Sequence, residues 1–406
     1  MTGLPPPPPD DSRFPAWRAL RSRWAVLSVV TLLYWVTGQG VRPFLPIRLQ
    51  QLGASDLVIG LAIAAYALVG LLLAIPSGRL LDRLSQRRLL VAAMVGLALT
   101  TAMLSLLQSV LLLFLGMLIN GLFAMWVWML LQSMISSAGE GQGRRNQMAL
   151  FSLTWGIGLA AGPSIGAVLY DHLDFTGLCV ILGAVTLLGG AAALGAPNVL
   201  PLGEKDGETP AEEAGIRAAL SRAFENPILV SVLISSFINL FVLSMRISFY
   251  PVYLERAGVA ITQIGLLLSL IGISSLAVRT VLPGVERRFG TLRVLIASTW
   301  LAIIGAASIP LSTNIAVLTI GALLIGVGLG ANPPITVSLL AEHSDARDRG
   351  LAVGLRMVAN RSGQVAQPLI FGGLAGTLGL GLAFPVSAAL LAGMTLWMSL
   401  RLRPYR

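Results

Sequence analysis

The sequence predicts an all-α membrane protein whose twelve transmembrane helices form two six-helix bundles related by a parallel repeat. Three observations carry that expectation. Of 406 residues, 55% are hydrophobic and 11% charged, with a mean hydropathy of +0.82, whereas a soluble globular chain carries about 25% charged residues. Apolar runs long enough to cross a bilayer recur along the whole chain. The chain also matches itself when shifted by 205 residues.

A crossing helix needs about 20 mostly apolar residues, so twelve use roughly 240 and leave room for short loops and one longer connector. Apolar spans 1 to 6 fall near 24–47, 57–78, 89–108, 110–136, 148–169 and 176–197. Spans 7 to 12 follow near 228–253, 261–282, 291–311, 314–340, 351–374 and 380–400. This divides the chain into an N-terminal tail (1–23), a first bundle (24–197), a connector (198–227), a second bundle (228–400) and a short C-terminal tail (401–406). The tail run Pro5 to Pro9 suits a solvated polyproline-like segment. The connector is polar, with Glu204, Lys205, Asp206 and Glu208, and residues 215–224 could lie on the membrane surface as a short amphipathic helix.

Alternating the spans across a membrane puts 21 of the 28 basic residues on the side of the termini, two on the other side (Arg48 and Arg256), and five within spans. The positive-inside rule therefore predicts that both termini face the cytoplasm, with the protein in the cell's inner, plasma membrane. The net charge of +10 points to this asymmetry and not to nucleic acid, which would need a basic face on a soluble domain. A single cysteine, Cys179, excludes an internal disulfide framework, and His172 and His343 are the only histidines, so neither a metal centre nor another cofactor is expected. Nor are these side chains placed for a nucleophile–base pair, which argues against a membrane enzyme.

At the 205-residue shift Phe44 meets Phe249, Pro46 meets Pro251, Gly53 meets Gly258, Gly60 meets Gly265 and Arg88 meets Arg293. Farther on, Gly121 meets Gly326, Arg144 meets Arg349, Gly158 meets Gly363 and Pro163 meets Pro368. Prolines, arginines and loop lengths agree at one gapless offset. Six spans per half make the two copies parallel, with a pseudo-two-fold axis along the membrane normal.

The loop after span 2 reads Gly78-Arg79-Leu80-Leu81-Asp82-Arg83-Leu84-Ser85-Gln86-Arg87-Arg88. It resembles the signature loop of the major facilitator superfamily, with Ser85 in place of the usual glycine. Span 5 carries Gly158-Leu159-Ala160-Ala161-Gly162-Pro163-Ser164-Ile165-Gly166-Ala167, similar to a motif of that family's drug antiporter branch, with Ala167 where the last glycine would be. The resemblance implies secondary transport of a small organic solute by alternating access, and the span 5 motif implies efflux. It also implies a gate in which Asp82 reaches the start of span 11 near Arg349, with Gly78, Arg83, Arg87 and Arg88 around it. Small residues four apart let helices approach closely in lipid, so Gly158, Gly162 and Pro163 read either as a tight helix contact or as a bend shaping the route between the halves.

Polar residues inside lipid are costly and usually face a cavity or a neighbour. Span 1 places Thr31, Trp35, Gly38 and Arg42 on one stripe, edged by Tyr34 and Gln39. Span 7 carries Ser235, Asn239 and Arg246, and span 11 carries Arg356, Asn360, Gly363, Gln364 and Gln367, with Arg361 just off the stripe. Spans 4 and 10 add Asn120 and Asn332, and Pro333-Pro334 is expected to interrupt span 10. The family arrangement implies that spans 1, 4, 7 and 10 line a central cavity bordered by span 11. Candidate substrate-binding residues are therefore Tyr34, Gln39, Arg42, Asn120, Asn239, Arg246, Asn332, Asn360, Arg361 and Gln364. Arg42 and Arg246 have a second reading, snorkelling to the headgroups. Tyr34, Trp35, Trp126, Trp128 and Trp155 form either an aromatic wall for a ring-bearing solute or ordinary packing.

The 18 acidic residues fall in tails, loops and span ends. An embedded cation substrate would lack a counter-charge, so an anionic or neutral solute is expected, carried by a monomer with or without a coupling ion. A proton-coupled multidrug antiporter is the alternative, with Asp56 or Asp82 as an unusual proton carrier. A non-transporting receptor or assembly factor of the same fold would need a large docking domain outside the membrane.

Overall fold

A computed structural model of the chain describes residues 24–73, 85–137, 141–198, 224–344 and 348–405. The proline-rich tail, Gly78, Asp82 and Arg83 of the signature loop, and connector residues 199–223 lie outside the described residues, and with them nearly all of the expected surface helix.

The described residues are almost wholly helical. Span 1 runs Ala25–Val41, tightens through a 3-10 turn at Arg42–Phe44 and continues as Leu45–Gln51. Span 2 is Asp56–Leu72, span 3 Gln86–Leu104 and span 4 Val110–Ser136. Spans 5 and 6 make up Gly141–Ala193 and meet at a joint on Asp174. The second half repeats the plan. Span 7 is Pro227–Ile247 followed by Phe249–Arg256, and spans 8 to 12 are Ile261–Phe289, Thr291–Ser308, Ile315–His343, Arg349–Leu378 and Leu380–Arg401.

Eight helices are long and apolar enough to cross a membrane unaided, and one of them, Asn146–Ala193, is 48 residues long, enough for two crossings. The other three spans, 1, 2 and 11, are the shorter or more polar helices.

The repeat shows in the backbone. Spans 1 and 7 both break after their long helix and add a short one, and the two short helices match at the 205-residue shift. Both then close on a glycine in the left-handed region, Gly53 at φ 87° and Gly258 at φ 81°, where a side chain would strain the turn. Elsewhere the copies diverge. Gly290 caps span 8 at φ 86°, while its partner Ser85 sits at φ −58° and donates its hydroxyl to Asn198 Oδ1 at 2.8 Å.

The halves meet along span 2 with span 11 and span 5 with span 8, pairs that exchange under the repeat. Gly60 packs on the carbonyl oxygen of Pro368, and its partner Gly265 packs on that of Pro163, where an added Cβ would stand 2.8 Å away. On its other face span 5 seats span 1: Gly158 fits against Trp35, Gly162 against Val36 and Gln39, and Gly166 against the backbone of Gly40. The span 5 glycines thus serve a close contact within the first half, and Pro163 and Ser164 serve the contact between halves. Ser164 Oγ donates to Gly265 O at 3.3 Å and to Ser269 Oγ at 2.7 Å.

Span 10 corrects one expectation. Pro333 and Pro334 lie inside a continuous helix. A proline clashes with the carbonyl four residues back, and neighbouring helices can absorb that cost in a membrane. Here Asn332 ties the segment to span 7, donating to Ser235 O at 3.2 Å and Ser235 Oγ at 2.5 Å, while Thr336 Oγ1 donates to Asn332 O at 2.9 Å.

Asp174 is the one non-glycine at positive φ among the described residues, at φ 59° and ψ −176°. That region costs a side chain about 1–3 kcal/mol. Asp174→Gly should therefore raise the melting temperature of the purified protein by a few degrees, and a fall would show that the aspartate makes a compensating contact.

Candidate functional site

Of the five arginines within the spans, Arg246 is buried, Arg42, Arg279 and Arg356 are half-buried and Arg361 is exposed. Arg42, at the 3-10 turn of span 1, is half-buried and lies over the ring of Tyr66 in span 2, 4.7 Å from its centroid. Arg361 of span 11 donates to Gln364 Oε1 at 2.9 Å and is close enough to interact electrostatically with Arg42 and Tyr34. Arg246 of span 7 is 2% exposed. It donates from Nη1 to Gln39 Oε1 at 3.2 Å and from Nη2 to Leu159 O at 3.2 Å and Leu268 O at 2.8 Å. It thereby joins spans 1 and 5 of the first half to spans 7 and 8 of the second. Arg356 donates to Thr336 Oγ1 at 3.1 Å, and Arg279 approaches Trp155.

Two adjoining clefts run between these groups. One is lined by Arg42, Tyr66, Met117, Ser244, Ile247 and Gln364, so spans 1, 2, 4, 7 and 11 all reach it. The other runs from Tyr34 and Trp35 past Gln39 and Asn120 to Arg42 and Tyr66. In this conformation each has room for little more than a water molecule, so a solute must enter when the halves part.

Sequence-predicted residues are distributed between cleft and packing. Tyr34, Gln39, Arg42, Asn120 and Gln364 line the clefts. Asn120 also donates to Thr100 Oγ1 at 3.2 Å and Thr101 Oγ1 at 3.0 Å, holding span 4 to span 3. Asn332 is turned toward Ser235, Asn239 is buried in span 7 and Asn360 is half-buried in span 11. Four of the five expected aromatics cluster: Tyr34, Trp35, Trp128 and Trp155. Trp126 instead meets Phe123 edge-on, 5.8 Å between centroids. At the basic end, Arg349 donates to Ala341 O at 3.3 Å, Arg87 is half-buried and Arg88 is exposed.

Sequence reasoning passed over Tyr66 and, at the end opposite the basic loops, named Asp56 and Arg256 without pairing them. Tyr66 had a weak signal, a lone tyrosine in an otherwise apolar span. At the opposite end Arg256 forms a forked ion pair with Asp56, at 2.6 and 3.0 Å, and donates from Nε to Gln50 Oε1 at 2.8 Å. Gln50 in turn donates to Glu255 Oε2 at 3.0 Å. Gln50 and Glu255 are partners at the 205-residue shift, so this clasp sits where the repeat axis brings equivalent positions face to face.

The clasp joins the halves, so weakening it should favour the form open at that end. A partly exposed pair contributes about 0.2–1 kcal/mol, and Asp56→Asn should shift the equilibrium a few-fold. Spin labels at Ser109→Cys and Thr313→Cys should report a larger long-distance population by double electron–electron resonance. An unchanged distance distribution would show that the clasp does not bias the rocking.

Comparison with known proteins agrees with this geometry. The family model described as Major Facilitator Superfamily matches residues 27–288 and again 233–406. An uncharacterised MFS-type transporter of Methanocaldococcus jannaschii is 24% identical over 363 residues, covering 88% of this chain and 93% of the relative. A multi-drug resistance efflux pump PmrA homolog of Lactococcus lactis is 23% identical over 379 residues, covering 90% and 91%. The solved structure of the nucleoside transporter NupG superposes with a TM-score of 0.78 at 15% identity, over 94% of this chain and 99% of that one. With two parallel bundles, a cleft between them and a family match over nearly the whole chain, the protein belongs to the major facilitator superfamily and is a multi-pass membrane transporter.

Proposed function

We propose that the protein exports a small organic anion across the plasma membrane by rocking its two bundles about the Arg42–Arg361 cleft. One observation carries the reading: Arg42 lines the cleft between the halves, Arg361 borders it through its bond to the lining residue Gln364, and the acidic residues stay at span ends, loops and tails. Two neighbouring cations without a buried acid repel each other until an anion arrives, so the empty cleft is electrostatically prepared for one. A neutral solute remains compatible with the same cleft.

The basic loops are assigned to the cytoplasm by the positive-inside rule, which makes the closed clasp the outer gate. Similarity to a multi-drug resistance efflux pump PmrA homolog and the span 5 motif support the outward direction. Asp82, with Gly78, Arg83, Arg87, Arg88 and Arg349, is proposed as the inner gate, and the transporter is taken to act as a monomer.

Counterflow in proteoliposomes tests the reading. Anionic, neutral and cationic solutes are compared with and without a pH gradient, and anions are expected to exchange fastest. Transport confined to cations and driven by the pH gradient would instead support a proton-coupled multidrug antiporter, the reading that the efflux-pump relative favours.

A further inference from the structure

The four clustered aromatics are placed unlike ordinary bundle packing. Trp35 lies 5.8 Å from Tyr34, 5.3 Å from Trp128 and 5.5 Å from Trp155, centroid to centroid, and Trp128 and Trp155 are 6.0 Å apart. All four are half-buried, so part of the rings stays uncovered. The indole N–H groups of Trp35 and Trp155 are buried yet find no acceptor among the described residues. A buried donor left unmet carries a standing penalty, and indoles used only for packing usually find a partner.

Cations bracket this wall. From the other half, Arg279 places its guanidinium 6.0 Å from the Trp155 centroid. At the opposite edge, one cleft runs from Tyr34 and Trp35 to Arg42. Trp35 and Arg42 are seven residues apart on one helix, about 10 Å along its axis, and their side chains converge on the same cleft. That spacing suits a flat ring system with an acid group a few bonds away.

We propose that Trp35, Trp128 and Trp155 form a binding subsite for the planar aromatic ring of an organic anion whose acid group is held by Arg42 and Arg361. The proposal rests on the anion reading above and narrows it to aromatic acids. Stacking on the ring faces supplies the preference, and the unmet indole N–H groups supply donors to any acceptor on the ring.

The test uses the full-length protein in lipid nanodiscs, titrated by calorimetry with 2-naphthoate and with octanoate, which carry the same charge, against empty nanodiscs. Naphthoate is expected to bind at least tenfold more tightly. In Trp155→Leu the ratio of the two affinities should fall to near one. Trp155→Phe, which keeps a ring and spares the packing, should retain a ratio of about three. Equal affinities in the parent protein, or a tenfold preference that survives Trp155→Leu, would overturn the subsite while leaving anion transport standing. Binding of 1-naphthylmethylammonium with neither carboxylate bound would overturn the anion reading and the subsite together.

Discussion

Arg246→Met is expected to abolish solute transport and, in the same variant, to leave the melting temperature unchanged or higher. The two effects have one cause. Arg246 is a cation 2% exposed, held by the Gln39 side chain and two backbone carbonyls without a carboxylate among its described partners. Burying an ion costs several kcal/mol even after relaxation, and an apolar side chain of similar volume often replaces a buried charge at no loss or at a gain of about 1–4 kcal/mol. Against that, Gln39 loses a donor, worth about 1–3 kcal/mol. The net change should be neutral to stabilising. A residue that lowers stability is kept where function requires it, and Arg246 reaches across both halves at the level of the cleft. Thermal unfolding of the purified variant and counterflow in proteoliposomes measure the two arms. A variant that melts lower and still transports would make Arg246 a structural bolt.

The second large effect concerns Arg42. Arg42→Gln should weaken anion binding at least tenfold, equivalent to about 1.4 kcal/mol, with little change in melting temperature. Its described contact is the face of Tyr66, and a cation–π contact at a partly exposed site contributes about 0.5–1 kcal/mol. The charge, by contrast, lies in the cleft, which Arg361 borders through its bond to Gln364. Arg42→Lys keeps the charge and should recover most of the affinity while losing the forked geometry of the guanidinium. Unchanged transport in Arg42→Gln would leave Arg42 as a packing partner of Tyr66 and remove the main support for an anionic substrate.

The two variants separate roles that look alike in the sequence. Arg42 and Arg246 both stand near the ends of bent spans and are almost repeat partners, one residue out of register. Hydropathy treats them equally, and both could have snorkelled to headgroups. The structure puts Arg42 over an aromatic face in a cleft and packs Arg246, buried, against two carbonyls and Gln39 between the halves. The one-residue slip is enough to point the two side chains at different neighbours, because each residue turns a helix by about 100°.

Much of the architecture was legible in the linear chain, because a lipid environment demands that every backbone group be satisfied within its own helix. Apolar length therefore indicates the number of spans, and a gapless offset of 205 residues indicates two like bundles. Even the Gly60–Pro368 and Gly265–Pro163 contacts are exchanged for one another by that offset. Tertiary structure alone decided which polar groups share a space. Asn332 turned to Ser235, Trp126 left the aromatic cluster for Phe123, span 10 ran straight through two prolines, and Asp56 met Arg256 across 200 residues of chain. Local pattern specifies the face on which a side chain stands, while its partner depends on how helices distant in sequence cross, and that is set by the packing of small residues between them.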